Sequence, residues 1–454
     1  MILYFDWLLN KFLKYRQSIG LSFFFFGAPV VYFLRDGLKL APNSSAFTAA
    51  FTILSLFVAF PLNIKKVYQT NTLGYLLCIS YSILAITYLA IYAPNRGWFT
   101  NTPVEAVYQT LILVSMFIFA GTSINSLKDD FLFFTLVFCV IGGLSLLYYL
   151  ARNPMYVIGM RAAISFDGDD AMSSMGNPHI YAKSAFAGIV AGMLMLKTET
   201  RFLWRIGIMG SVFLLTIVVA LCQAMAVVLI TGIFFFLYFL ASINATSIYK
   251  TLKWVFGWQG LLLFFGICYG IYYIWEYTRL DEYIINVSDL IYDRIERIVT
   301  TLLEPETSKS VKLAGDDSAS TRVENITAMF KTFNGNIEDG NWINVIFGNG
   351  YHHKYVDSPV FQTLNDLGII GFTIFVTLHI VLMVWVVKEI FRPTCNFTQF
   401  IAFVFLVTLV QNITFGMPYD YQRWTAMIFV ARFALNYKKS PIMSAKNSPV
   451  TTQI

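Results

Sequence analysis

The chain has 454 residues, of which 57% are hydrophobic, 17% are aromatic and 13% are charged, and its mean hydropathy is +0.63. Soluble domains carry about 25% charged residues, so this composition excludes a soluble globular protein and indicates an integral membrane protein. The net charge of +6 reflects lysines and arginines in the loops between apolar runs and does not indicate a nucleic-acid partner.

About twelve apolar runs are long enough to cross a hydrocarbon core about 30 Å thick, which takes about 20 helical residues. Runs such as "LSFFFFGAPVVYFL" are apolar on both alternating faces, which predicts helices rather than the strands of a β-barrel. The expected fold is an all-α polytopic membrane protein. Its spans are expected to begin near Ile19, Ser45, Leu73, Val104, Phe131, Ile180, Leu203, Ala224, Trp254, Gly368, Phe400 and Arg423.

Lysine and arginine collect in alternate short loops, for example Lys65 and Lys66, then Lys128, then Lys388 and Arg392. Because such loops face the cytoplasm, an even number of spans places both termini there. The opposite loops then lie outside the membrane on the other side.

The predicted organisation follows in chain order. Residues 1–17 form an amphipathic helix in the membrane plane, and residues 18–275 hold spans one to nine, with an outer loop at 151–179. Residues 276–358 form a large outer loop, residues 359–437 hold spans ten to twelve, and residues 438–454 are a cytoplasmic tail. A large polar loop late in the chain is the main feature outside the membrane.

Two helix starts are predicted around this loop. Ser320 or Thr321 is placed to cap a helix through "RVENITAMFKTF", with a glutamate a few residues further on. Asp357 or Ser358 is placed to cap the tenth span, with Pro359 at its first position.

Three charged residues in the outer loops each allow more than one interpretation. Arg322 and Arg161 are either solvated loop arginines or guanidinium forks that bind phosphate oxygens of a membrane-embedded donor. Asp357 is a helix cap, an ion partner of one of these arginines, or a general base for a sugar hydroxyl.

Histidines offer little evidence for a metal site. His179, His352 and His353 lack acidic or cysteine neighbours at ligand spacing, so we predict no metal. The segment from Tyr351 to Tyr355 is more typical of a polar aromatic rim that contacts sugars. Within the apolar runs, polar side chains are expected to form hydrogen bonds between helices, as for Gln223, Gln411 and Asn412.

At these residues the sequence resembles the O-antigen polymerase and O-antigen ligase superfamily. "STR" is followed by an amphipathic helix, "FGNG" and "VDSPVFQTLNDLGIIGF", and "MGNPHIYAKSAFAG" resembles the Asn-Pro segment of the same family. The late outer loop agrees with the family's architecture. The matching residues are Ser320, Arg322, Gly348, Gly350, Asp357, Ser358, Gln362, Gly368 and Gly371.

The resemblance implies a membrane glycosyltransferase of GT-C-like fold in the bacterial inner membrane, with a periplasmic active face. It would draw a glycan from undecaprenyl pyrophosphate and invert the anomeric carbon, without a metal or cofactor. Asp357 and Arg322 would be catalytic. Predicted substrate-binding and pyrophosphate-binding residues are Arg161, Arg322, Asn177, His179, Ser320, Gly348, Gly350, His352 and Tyr355.

The leading hypothesis is a polysaccharide polymerase that works with a chain-length regulator protein and a flippase. Two departures from the family pattern favour it over an O-antigen ligase. Asp357 stands where ligases generally have a histidine, and "CQAMA" replaces the family's Ser-Arg-Gly after the seventh span. The alternatives are the ligase, which transfers the glycan to lipid A core, then a flippase of lipid-linked glycans, and then a non-catalytic scaffold.

Overall fold

The computed structural model describes residues 2–42, 44–62, 72–92, 102–128, 130–154, 156, 160–164, 177–242, 317–414 and 416–434, and a few single positions between 265 and 292. Within these residues the chain is helical and contains no β-strand. The prediction of an all-α protein is therefore confirmed for the described part of the chain. The run expected near Trp254, most of the large outer loop and the tail lie outside it.

Helices begin close to the apolar runs of the sequence. Those expected at Ser45 and Phe131 begin at these residues, and those expected at Leu73 and Leu203 begin one residue earlier. The described helices are α1 Ile2–Phe26, α2 Ala28–Tyr32, α3 Ser45–Ala59, α4 Thr72–Tyr92, α5 Thr102–Gly121, α6 Phe131–Arg152, α7 Pro178–Leu196, α8 Phe202–Cys222, α9 Met225–Ser242, α10 Asp317–Glu338, α11 Trp342–Phe347, α12 Pro359–Phe391, α13 Asn396–Thr414 and α14 Tyr421–Phe433.

Six of these helices are long and apolar enough to cross a membrane, namely α4, α6, α7, α8, α12 and α13. A seventh span results if the bent pair Asn10–Phe26 and Ala28–Gly37, which meet at 68°, counts as one. Helices α3, α5 and α9 are apolar but shorter. The described residues thus support a multi-pass membrane protein with six or seven such spans, and the count of twelve stays a prediction.

The first helix is continuous through the predicted in-plane segment. α1 runs from Ile2 to Phe26 with no break at residue 17, and the chain bends at Gly27. Pro29 follows in the first turn of α2. In a continuous helix its ring would clash with the backbone carbonyl four residues earlier, so the helix bends here. A π-helical turn, Phe33–Gly37, then carries a buried ion pair in which Arg35 Nη2 lies 2.7 Å from Asp36 Oδ2.

Small residues let α7 approach its neighbours closely. A Cβ added to Gly188 would lie 2.6 Å from Cys139 Cβ on α6, and one added to Gly192 would lie 2.5 Å from Val212 Cγ2 on α8. Close approach through glycine is a common way to pack helices in a membrane, where no hydrophobic drive holds them together. α7 therefore occupies the centre of the bundle and is largely buried.

Several helix ends meet at one end of the bundle, which we call the site end. α7, α12 and α14 begin there, and α4 and α13 end there. The contacts that show this are Ser358 Oγ to the Ile413 carbonyl at 2.8 Å, Gly416 N to Asp357 Oδ1 at 2.8 Å, and the close packing of Gly350 on Tyr92. At the opposite end, Asn396 Nδ2 donates to the Leu194 carbonyl at 3.3 Å, which places the end of α7 beside the start of α13.

Candidate functional site

Helix α12 is broken at Gly368, nine residues after it begins. Gly368 has φ 64° and ψ −163°, values that side-chain-bearing residues rarely adopt. A Cβ there would lie 2.4 Å from the Ile346 carbonyl oxygen, and one on Gly348 would lie 2.3 Å from the Asp366 carbonyl oxygen. Both glycines therefore allow two backbones to touch.

The "FGNG" loop donates hydrogen bonds to backbone carbonyls of α12 that lose their helical partners at the break. Asn349 N donates to the Asn365 carbonyl at 2.9 Å, and Gly350 N donates to the Asp366 carbonyl at 3.0 Å. A broken helix is tolerated at membrane depth only where such partners exist. Gly348 and Gly350, which were predicted to bind substrate, thus have a structural role in seating the loop on the half-helix.

Asp366 is the centre of this arrangement and was not predicted as a site residue. Its side chain is fully buried, and its two carboxylate oxygens accept hydrogen bonds from side chains and from backbone N–H groups. The donors are Gln362 Nε2, Asn365 Nδ2, Tyr419 Oη, His352 N and His353 N. A buried carboxylate with this many donors fixes the geometry around it.

The ring of His352 lies among aromatic side chains. It packs against Tyr351 and Tyr419, whose own rings stack with centroids 4.1 Å apart. Burial lowers the pKa of His352 to about 4, so the ring is neutral at neutral pH. Its Nε2 is buried without a hydrogen-bond partner. A neutral imidazole carries no charge to attract a phosphate, and the binding of substrate by His352 stays a prediction.

Asp357 is held in a defined position at the site end. Its φ is 55°, and its Oδ1 accepts from Gly416 N at 2.8 Å and from Tyr355 Oη at 2.6 Å. Ser358 is the residue that precedes α12, yet its hydroxyl donates to the Ile413 carbonyl. Ser358 occupies the N-cap position of α12 without a side-chain cap hydrogen bond, so its predicted capping role is wrong, although Pro359 does occupy the first turn.

Arg423 lies next to Asp357 and is buried, with 7% of its surface exposed. Its Nη1 donates to the Gln411 carbonyl and to Asn412 Oδ1, both at 3.1 Å, and its Nε lies 3.4 Å from Asp420 Oδ2. Gly416 lies between Asp357 and Arg423. Its N–H donates to Asp357, and a Cβ added to it would lie 2.2 Å from Arg423 Nη2. Only glycine leaves space for the guanidinium here.

A short chain of hydrogen bonds extends from Arg423 into α12. Asn412 accepts from Arg423 and, through Nδ2, lies 2.7 Å from His379 Nε2. His379 Nδ1 lies 2.7 Å from the Phe375 carbonyl, which requires the ring proton on Nδ1 and leaves Nε2 as the acceptor. This confirms the expectation that Asn412 bonds between helices, and it shows what orients the arginine.

The second group of predicted residues lies around the start of α7. Asn177 precedes the helix, and its Oδ1 accepts from His179 N at 3.0 Å, so it acts as the helix cap. Arg161 is half-buried in the segment 160–164, which is tied to α8 by the bond from Ala162 N to the Leu221 carbonyl at 2.9 Å. The guanidinium is within electrostatic range of Cys222, where α8 ends.

Arg322 and Ser320 lie on α10, which begins at Asp317. Ser320 is therefore inside the helix, and the prediction that it or Thr321 caps the helix is wrong. α10 docks on the site end through Phe330, whose ring centroid lies 5.5 Å from that of Phe361. The side chains of Ser320 and Arg322 lie outside the described residues, so the predicted convergence of Arg322 and Arg161 stays a prediction.

The structure thus brings some predicted residues together and separates others. Asp357 and Tyr355 share one site with Arg423, while His352, Gly348 and Gly350 surround Asp366. The sequence signal for Asp366 and Arg423 was a charge inside or beside an apolar run, which is costly in a membrane and therefore functional by default.

Among the residues that the structure describes, no group of three or more His, Cys, Asp or Glu side chains is placed to hold a metal ion. A scan against protein-family models finds no match, and a search of curated proteins finds no significant relative.

Proposed function

We propose that the protein is an O-antigen or related polysaccharide polymerase, which transfers a growing glycan from undecaprenyl pyrophosphate onto a lipid-linked repeat unit. The observation that carries the proposal is that Asp357 and buried Arg423 both approach Gly416 and lie within electrostatic range of each other. A carboxylate held by two donors beside a guanidinium suits a reaction that removes a proton at one point and develops phosphate charge nearby.

In the proposed reaction, an acceptor hydroxyl oxygen forms a bond to the anomeric carbon of the donor glycan. The bond from that carbon to the pyrophosphate oxygen breaks, and the pyrophosphate leaves with the electron pair. Asp357 takes the hydroxyl proton, and its bonds from Gly416 N and Tyr355 Oη aim the carboxylate. Positive side chains stabilise the departing pyrophosphate, a role that the resemblance gives to Arg322 and that Arg423 is placed to share.

The proposal includes an architecture finer than the described helices establish. It has twelve spans, both termini in the cytoplasm, a GT-C-like fold in the bacterial inner membrane and a periplasmic site end. The lysine and arginine bias of the loops supports this orientation. A chain-length regulator and a flippase remain the proposed partners.

The direct test is the surface glycan of the host, separated on a gel with and without the gene. Deletion is expected to leave lipopolysaccharide capped by a single repeat, and wild-type protein is expected to restore the ladder. Asp357→Asn at normal protein level should fail to restore it. Asp339→Asn is the matched control, because Asp339 is an exposed acid just after α10. A full ladder from Asp357→Asn would reject the carboxylate as the base.

The same gel tests the ligase and the scaffold. Loss of even the first repeat on deletion would indicate the ligase, since nothing would then reach lipid A core. Arg322→Ala with unchanged protein level separates the scaffold from both enzymes. A full-length glycan in that variant would favour the scaffold.

One set of observations favours the transporter as the second candidate. Transporters commonly contain broken helices and intramembrane charges, and this protein has a break at Gly368, a bend at Gly27 and buried Asp366 within α12. A flippase would move a labelled lipid-linked repeat across the bilayer of a reconstituted vesicle without lengthening it. A polymerase would lengthen it in the same vesicle.

A further inference from the structure

A cavity of about 140 Å³ lies between α1, α7, α13 and α14, and its chemistry changes from one end to the other. Lys183, Gln411 and Arg423 line it close to the site end, because they lie near the start of α7, the end of α13 and the start of α14. Phe131 and Phe400 line it at the opposite end, near the starts of α6 and α13.

The cavity extends along helix α13 for about three turns. Its wall on α13 extends from Phe400 to Gln411, which at 1.5 Å per residue is roughly 16 Å. Phenylalanines dominate the deep part, including Phe25 on α1 and Phe429 on α14. An apolar channel of this length fits part of one extended hydrocarbon chain.

The charged side chains that line the cavity near the site end are both positive. Lys183 and Arg423 are the charged residues among those described that line the cavity. In the described part of the chain Lys183 makes no hydrogen bond or ion pair, although Asp420 is within electrostatic range. Arg423 is held by Gln411 and Asn412 and lies 3.4 Å from Asp420, which does not line the cavity. An ammonium in this position without a partner is costly unless an anion binds there.

We propose that this cavity binds the phosphorylated head and the first isoprene units of a polyprenyl phosphate lipid, with Lys183 and Arg423 as the phosphate ligands. The proposal rests on the proposed polymerase function for the choice of a polyprenyl chain. It assigns the lipid head to two residues that the family resemblance does not match. The branched methyl groups of the chain pack against the phenylalanine walls, and the head lies beside Asp357.

The test measures binding of polyprenyl diphosphate to purified full-length protein in nanodiscs by native mass spectrometry. Lys183→Gln and Arg423→Gln are each expected to weaken binding by about tenfold or more, since each removes a charge-assisted hydrogen bond. The control is Lys331→Gln, which removes an exposed charge from α10. Equal binding by Lys183→Gln, Arg423→Gln and the control would overturn the proposal.

A second variant tests binding of the lipid chain separately from binding of its head. It remains informative if Arg423→Gln fails to fold. Ala426 lines the cavity on α14 and is half-buried, so Ala426→Trp should block the channel and weaken binding of the diphosphate lipid. Neutral polyprenol should bind wild type about tenfold more weakly than the diphosphate lipid and should be unaffected by Lys183→Gln. Equally tight binding of a two-chain anionic phospholipid would contradict a polyprenyl site.

Failure of this inference differs from failure of the proposed function. If the cavity variants bind lipid normally while gene deletion still gives a single repeat, the polymerase stands and the lipid binds elsewhere. If the cavity binds polyprenyl diphosphate while deletion leaves the glycan ladder intact, the lipid site stands and the polymerase does not.

Discussion

Helices α8 and α12 are both apolar enough to cross a membrane, yet they satisfy their polar groups in different ways. α8 is unbroken, and 28% of its most apolar stretch is buried, close to the 33% of α12. Its Ser211 and Thr216 donate to carbonyls of their own helix at 2.8 and 2.9 Å. α12 is broken at Gly368, and its buried polar residues bind other parts of the chain.

The difference separates a helix that faces lipid from one that builds a site. In lipid, each helix must satisfy its own hydrogen-bonding groups. Where other segments supply partners, as "FGNG" does for α12, the helix is free to break and to keep a carboxylate inside. Polar substitutions and glycine substitutions in the two helices should therefore have unequal effects.

The largest effect is expected at Asp366. Asp366→Ala leaves two backbone N–H groups and three side-chain donors without their acceptor, and each such group costs about 1–3 kcal/mol. The free energy of unfolding should fall by about 3 kcal/mol or more, measured by thermal unfolding in detergent. Ser211→Ala in α8 is the control and should stay within about 0.5 kcal/mol of wild type. Equal losses in both variants would contradict the comparison.

A smaller but still clear effect is expected from glycine. Gly368→Ala combines a φ of 64° with a Cβ placed 2.4 Å from a backbone oxygen, which should cost about 2–3 kcal/mol. Gly207→Ala in α8 has nothing within 4 Å and should stabilise its helix by up to about 1 kcal/mol. The order of the two melting temperatures measures the asymmetry directly, and a reversed order would reject it.

The sequence predicted the lipid-facing helices better than the site. Helix starts at Ser45 and Phe131 follow from the apolar pattern, because long runs of one chemistry decide the class of element. The pattern placed a span start near Gly368, where the structure has a break inside a longer helix. Periodicity cannot reveal this, since the half-helix before Gly368 is buried by residues distant in the sequence.

The site was predicted in part. Asp357 was predicted to be catalytic from the family resemblance, with a general base as one of three interpretations. Its neighbour Arg423 was treated only as the start of a span, because their approach across Gly416 depends on how α13 and α14 turn. The two glycines of "FGNG" were matched to a family motif. Their role in seating the loop on a broken helix requires the tertiary contact with Asp366.

Protonation of His352 at acid pH should lower the free energy of unfolding. Its pKa is lowered by burial to about 4 in the folded protein, whereas an unfolded histidine titrates near 6.5. The unfolded chain therefore binds more protons at this histidine between these values, so the contribution of His352 to stability falls as pH drops below about 6.5, by about 2 kcal/mol at pH 5. His352→Asn tolerates the φ of 51° and should remove this part of the pH dependence. An unchanged pH profile would contradict a buried neutral ring.

The smallest expected effect concerns the orientation of Arg423. Asn412→Ala removes the acceptor at 3.1 Å from Arg423 Nη1 and the contact at 2.7 Å to His379 Nε2, while the Gln411 carbonyl still holds the guanidinium. Losing about 1 kcal/mol of the hydrogen-bond energy that orients Arg423 should reduce glycan polymerisation about fivefold, with normal protein level.

Thr216→Ala is the matched control for this variant, because its hydroxyl binds only its own helix in α8 and its removal should not change polymerisation. Asn412→Ala removes hydrogen bonds to Arg423 and His379 on two other helices, whereas Thr216→Ala removes one hydrogen bond within its own helix. If Thr216→Ala reduced polymerisation as much as Asn412→Ala, the effect would be general softening of the bundle. A selective loss in Asn412→Ala means that the bond between helices α12, α13 and α14 controls the arginine beside Asp357.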